Sequence, residues 1–161
     1  MGKKSYPRRS DKFFSLSKLD PKVEEEITRI KTYFQDHLDP LEIQNLNAFQ
    51  RKQLHLYFEK HREYLVRSIR DQANKEVVVL RVYPLGELQR MAEARVQEVL
   101  ITGEPQQLPP MDAFARFLVH DYLKDREGIR TESFGEGKER HVRIFPVFGR
   151  ELKKAKRRLI R

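Results

Sequence analysis

Residues 111–126 read Met111-Asp-Ala-Phe-Ala-Arg-Phe-Leu-Val-His-Asp-Tyr-Leu-Lys-Asp-Arg126. Helical spacing places Met111, Phe114, Leu118, Val119 and Tyr122 on one side, so the stretch is expected to be an amphipathic helix with an apolar stripe. Arg116 and His120, one helical turn apart, stack on a face roughly opposite that stripe, and Lys124 lies a further turn along. The three form an expected solvent-facing ridge of donors. Behind the helix come Ile129–Phe134 and Arg140–Val147, two short runs rich in β-formers, separated by Gly135-Glu-Gly-Lys-Glu139, whose glycines permit a tight turn. The segment reads as a helix followed by a β-hairpin.

The residues around this helix add a pattern. Leu108-Pro-Pro-Met-Asp-Ala-Phe114 leads into it, and Thr131-Glu-Ser133-Phe-Gly135-Glu-Gly137-Lys-Glu-Arg140-His-Val-Arg-Ile144 follows. Over roughly residues 86 to 147 the chain resembles the R-three-H domain family, named for its Arg-x-x-x-His signature, whose members bind single-stranded DNA or RNA. The resemblance implies two helices packed on a small three-stranded sheet, in the order helix, strand, helix, strand, strand. It maps the signature pair onto Arg116 and His120.

Upstream, Leu46-Asn-Ala-Phe-Gln-Arg-Lys-Gln-Leu-His-Leu-Tyr57 repeats the same theme. At a constant offset, Ala48, Phe49, Arg51, His55, Tyr57 and Ser68 coincide with Ala113, Phe114, Arg116, His120, Tyr122 and Ser133, an internal repeat. The preceding helices align as well. One starts at Asp20 as N-cap with Pro21 at the first helical position, carries Val23, Ile27, Ile30, Phe34 and Leu38 at helical spacing, and is expected to end at Asp39-Pro40. The other runs from Leu85 to Ile101 with Leu88, Ala92, Val96 and Val99 as its stripe. Leu80-Arg-Val-Tyr-Pro84 matches Val142-Arg-Ile-Phe-Pro146.

The expected fold class is therefore α+β, as two tandem small units, each two helices on a three-stranded sheet. Residues 13–84 form the first unit and 85–148 the second, with basic flexible tails at 1–12 and 149–161. Only the turn Pro84-Leu-Gly86 separates the units, which favours packed units over beads on a string. The first copy is the degenerate one: Ile69-Arg-Asp-Gln-Ala-Asn-Lys-Glu76 replaces the glycine turn, and Gln53 stands where Leu118 supplies core. Its last strand, Val77-Val-Val-Leu-Arg-Val-Tyr83, is apolar on both faces, so the face bearing Val77, Val79 and Tyr83 should be covered by the second unit, a second chain or the Phe13-Phe14-x-Leu16 stretch.

The charge is unevenly placed. Residues 1–12 hold five basic and one acidic residue and 149–161 seven and one, so a chain of net charge +9 has a body of −1 over 13–148. The tails read as sequence-independent phosphate attractors through Arg8, Arg9, Lys153, Lys154, Lys156, Arg157 and Arg158, the plainer alternative being solubility alone. The chain has no cysteine, so no disulfide framework or thiolate metal site is available, which fits a reducing compartment. No apolar run reaches the roughly 18 residues a membrane span needs and no signal-peptide core is present, so the expected location is cytoplasmic.

Enzymatic readings are weak. Ser133, His120 and Asp112 can be written as a triad but lack a nucleophile elbow, no phosphate-binding glycine loop occurs, and no histidine or carboxylate cluster has metal-ligand spacing. No cofactor is implied. The expected function is binding of single-stranded nucleic acid, RNA or DNA, with little sequence preference. The second unit should act through Arg116, His120, Lys124, Arg140 and Arg143, with Arg51 and His55 secondary or vestigial. Phe134 and Phe145 alternate with Arg130, His141 and Arg143 on one strand face, a mixture that suits base stacking and equally suits core or interface packing. The alternative function is a protein-interaction or dimerisation scaffold that uses the outer sheet face of the first unit.

Overall fold

The computed structural model describes residues 18–70, 74 and 77–148; the tails and Phe13-Phe14-x-Leu16 lie outside them. In chain order the elements are α1 (Pro21–Tyr33), β1 (Leu41–Ile43), α2 (Ala48–Lys60), β2 (Leu65–Arg70), β3 (Val78–Tyr83), α3 (Leu85–Thr102), β4 (Gln106–Gln107), α4 (Ala113–Leu123), β5 (Ile129–Phe134) and β6 (His141–Pro146). The fold is α+β, with two antiparallel three-stranded sheets ordered β1-β3-β2 and β4-β6-β5. The registers correspond pair by pair: Leu41 faces Val82 as Gln106 faces Ile144, and Ser68 faces Leu80 as Ser133 faces Val142.

Local signals explain most boundaries. Asp20 accepts from the Lys22 amide at 2.9 Å and Pro21 opens α1. Asn47 and Gln50 form a reciprocal capping box at the start of α2. Helix α3 closes on Gly103 at φ 71°, whose N–H bonds the Val99 carbonyl. One boundary differs from the periodicity. Helix α1 stops at Tyr33 and not at Asp39-Pro40: the Phe34 amide still bonds the Ile30 carbonyl, but the Gln35 and Asp36 amides bond back only three residues, to Thr32 and Tyr33, so the turn tightens and ends, and Leu38 is left exposed.

Each unit has its own core. Val23, Ile27 and Ile30 of α1 meet Leu54 and Phe58 of α2 and Leu80 and Val82 of β3 in the first. In the second, Ala92, Val96 and Val99 of α3 meet Val119 and Leu123 of α4 and Val142 and Ile144 of β6. Gln53, the polar residue at a core position, is 4% exposed because it accepts from the Asp20 amide at 3.1 Å and donates to the Lys18 carbonyl at 3.4 Å. A buried amide is tolerable when backbone groups satisfy it, and this one ties the chain entering α1 to α2.

A third cluster, Tyr83, Leu88 and Ala115 with Leu65, Met91, Met111, Phe114 and Leu118 around it, joins the units. Tyr83 is 1% exposed, so the second unit is what covers this end of the first unit's outer sheet face, and that end is closed to another chain. Val79 is also buried, while Val77 remains exposed. The apolar stripe of α4 divides accordingly: Ala115, Val119 and Leu123 are buried, Phe114 and Leu118 turn to the seam, and Tyr122, expected in the stripe, is exposed.

The Tyr83 hydroxyl donates to Asp112 Oδ2 at 3.0 Å while Asp112 Oδ1 accepts from the Ala115 amide at 2.7 Å. Burial, with the Asp112 carboxylate beside it, pushes the Tyr83 phenol up to about 12, so it stays a donor. Replacing Asp112 by alanine is expected to cost about 1–2 kcal/mol of stability and Tyr83→Phe about 1 kcal/mol. In denaturant unfolding the double variant should lose less than the sum, because both changes break the same bond. Strictly additive losses would show that the bond contributes nothing.

Candidate nucleic-acid interface

Helix α4 begins at its Asp112 cap, which fixes the rotation of the helix and so the directions of Arg116 and His120. Arg116 is half-buried, and its Nη1 donates to the Met111 carbonyl at 2.8 Å. The Met111 amide in turn donates to the Arg140 carbonyl at 3.1 Å, so the guanidinium is tied through one residue to the turn before β6. A guanidinium has five N–H donors in a fixed fork, and among the described residues Arg116 has no acidic partner for the rest.

His120 is not part of a solvent-facing ridge, as the helical wheel implied. Its ring lies half-buried against the edge strand β5, with Nδ1 2.7 Å from Thr131 Oγ1 and Nε2 2.9 Å from Ser133 Oγ. Thr131 and Ser133 are two residues apart on a strand and so project to the same face, toward α4. Burial first, and then the Arg116 charge, hold the His120 imidazole below its usual pKa, which keeps it neutral at pH 7. With both ring nitrogens engaged, the histidine pins the helix to β5 and orients two hydroxyls. It does not offer a free N–H.

The other expected residues are spread around this centre. Lys124 is exposed at the end of α4 and bonds Asp121 at 2.8 Å. Arg140 is exposed in the turn that Gly135 (φ 84°) and Gly137 (φ 53°) allow; a Cβ on Gly135 would stand 2.9 Å from the Glu139 carbonyl oxygen. Arg143 lies on the opposite face of the sheet, where its guanidinium sits 5.2 Å from the Phe134 ring centre and 5.5 Å from that of Phe145, and Arg130 covers Phe145 at 4.4 Å. The structure thus gathers Arg116, His120, Thr131 and Ser133, and sets Arg143 apart. Thr131 was missed, although period-two spacing from Ser133 was there to be read.

The first unit repeats the geometry in part. Arg51 Nη1 donates to the Leu46 carbonyl at 2.6 Å and His55 Nε2 lies 2.9 Å from Ser68 Oγ. Val66 replaces the Thr131 hydroxyl, and Glu59 replaces Lys124 one turn beyond the histidine. Burial lowers the His55 pKa, and Glu59 opposes that shift.

Residues 86–146 match the family model of the R-three-H domain. This domain is generally a single-stranded nucleic-acid-binding module, a binding domain and not a catalytic one. No curated protein is similar enough to the chain to count as a relative. Among the described residues, no helix is long and apolar enough to cross a membrane.

Folded His55 and His120 both have pKa values below the ~6.5 of an unfolded chain, so on acidification the unfolded state takes up protons first. Stability present above that pH is lost as the pH falls toward the folded values. The thermal midpoint, followed by circular dichroism, should therefore drop as the pH falls through and below about 6.5, and drop less in a His55→Gln, His120→Gln double variant. An identical pH profile in the double variant would mean that neither ring is held neutral by the fold.

Proposed function

We propose that this protein binds single-stranded nucleic acid, RNA or DNA, with little sequence preference and mainly through its second unit. The observation that carries the reading is the unspent guanidinium fork of Arg116, held by the Met111 carbonyl beside the hydroxyls that His120 orients on β5. A phosphate accepts from such a fork through two oxygens, and hydroxyl donors alongside it complete the oxyanion's partners. Nothing in this arrangement reads base edges, which accords with weak sequence preference.

Arg140 and Lys124, the latter shared with Asp121, are further basic groups for phosphate, and the outer face with Arg143, Phe134 and Phe145 offers arginine-backed aromatic rings to bases. The basic tails, with Arg8, Arg9, Lys153, Lys154, Lys156, Arg157 and Arg158, add phosphate contacts that any strand can make. The first unit is a degenerate tandem copy that serves chiefly as scaffold, because Glu59 sets a negative charge where the second unit has Lys124. The absence of cysteine accords with a reducing, cytoplasmic setting.

Arg116→Ala is expected to weaken binding of a fluorescent oligonucleotide about ten- to a hundredfold, the worth of one or two charge-assisted hydrogen bonds, and Arg51→Ala much less. Salt separates the site from the tails. The slope of log affinity on log salt should shrink by roughly 0.7 for every phosphate no longer neutralised, so deleting residues 1–12 and 150–161 should flatten it far more than Arg116→Ala does. A tail-deleted body that shows no single-strand preference, beside an Arg116→Ala protein that keeps all of its own, would favour the protein-interaction scaffold.

A further inference from the structure

The seam between the units carries an aromatic and cationic strip that the reading above does not use. Phe117 follows Arg116 directly on α4, and the helical turn places it between Arg116 and the seam residue Phe114, on the exposed side of the helix. It is 55% exposed and belongs to none of the three apolar clusters. Its ring is stacked on Phe114, centres 5.7 Å apart and planes 26° from parallel. Phe114 is fixed in turn by the first unit: the Tyr83 ring meets it at 4.9 Å and the Arg67 guanidinium stands 4.4 Å from its centre.

Arg67 comes from β2, on the outer face of the first unit's sheet, and its side chain is exposed. Among the described residues it has no acidic partner, and its neighbour across the sheet is another arginine, Arg81, whose own charge is taken by Glu42. The acid nearest in sequence on the open side of α4, Asp121, is paired with Lys124. The strip from His120 and Arg116 across Phe117 and Phe114 to Arg67 therefore combines two cations without acidic partners among the described residues with one open aromatic face.

We propose that this seam continues the single-stranded nucleic-acid path: a base stacks on Phe117, and the next phosphate is held by Arg67 of the first unit. The proposal rests on the binding function argued above and extends it to a footprint that only two docked units can make. Charge selects the occupant. A polyanion with flat apolar bases satisfies both the two arginines and the exposed ring, whereas an apolar protein surface would leave Arg67 and Arg116 unpaired. The role of scaffold given to the first unit then includes one direct contact through Arg67, which does not involve Arg51 or His55.

The chain contains no tryptophan, so Phe117→Trp makes a single-site fluorescent reporter on an exposed position. The probes are oligothymidylate and oligouridylate of about 5 and about 15 nucleotides, lengths that bracket a small domain's footprint. The tryptophan emission is expected to be quenched on binding the longer probes, as stacking on a base requires. Phe117→Ala and Arg67→Ala should each weaken the longer probes by about tenfold and leave the shorter ones nearly unchanged, with thermal midpoints like the parent's. Arg116→Ala should weaken both lengths. Probes that bind the reporter without changing its emission, or parent-like affinity of both alanine variants for the longer probes, would overturn the seam path while the Arg116 site stands. Failure of the parent protein to bind any probe would remove both.

Discussion

The carboxylate of Asp112 accepts from the Ala115 amide through one oxygen and from the Tyr83 hydroxyl through the other. The first bond starts α4 and the second fixes that start to the last strand residue of the first unit. The Arg116–His120 pair depends on the rotation and origin of this helix, since one turn of slip would carry Arg116 away from the Met111 carbonyl and His120 away from β5. Tyr83, Leu88 and Ala115 pack beside this part-buried bond, where the lower local polarity strengthens it relative to an exposed one. The two units are thus joined at the same point where the site is built.

Within the site, the two signature residues have different work. His120 uses both ring nitrogens on Thr131 and Ser133 and is kept neutral by burial and by Arg116, so it acts on structure, holding β5 against α4. Arg116 spends one donor on the backbone and keeps the rest. The first unit keeps the arginine contact to the backbone and one of the two histidine contacts, and differs at two positions around them, a valine in place of a hydroxyl at Val66 and a reversed charge at Glu59. The two units therefore differ both in how the histidine ring is held and in the charge set beside it. For phosphate, a carboxylate one turn from the histidine is repulsive across the few ångströms where screening is weak.

The fold class was legible because its determinants are local. The cap at Asp20, the glycines at 135 and 137, and strand alternation along β5 and β6 each act within a few residues, whereas the caps at Asn47 and Asp112 emerged only from the structure. The expectation that α1 extends to Asp39-Pro40 failed because apolar spacing does not report where the backbone bonds tighten: the Gln35 and Asp36 amides bond Thr32 and Tyr33, three residues back, and the helix ends there.

The site was legible as a set of residues and not as an arrangement. By itself the sequence determined that an arginine and a histidine share one face of α4, that a hairpin with a glycine turn follows, and that the charge lies mainly outside the body. Only the tertiary structure decided that His120 turns inward to two hydroxyls, that Arg143 lies on the far face of the sheet, and that Tyr83, Arg67 and Phe114 meet across the seam. The physical reason is range. Spacing along a chain fixes which side chains share a face, but what that face meets depends on how elements distant in sequence cross, and no local pattern encodes the crossing.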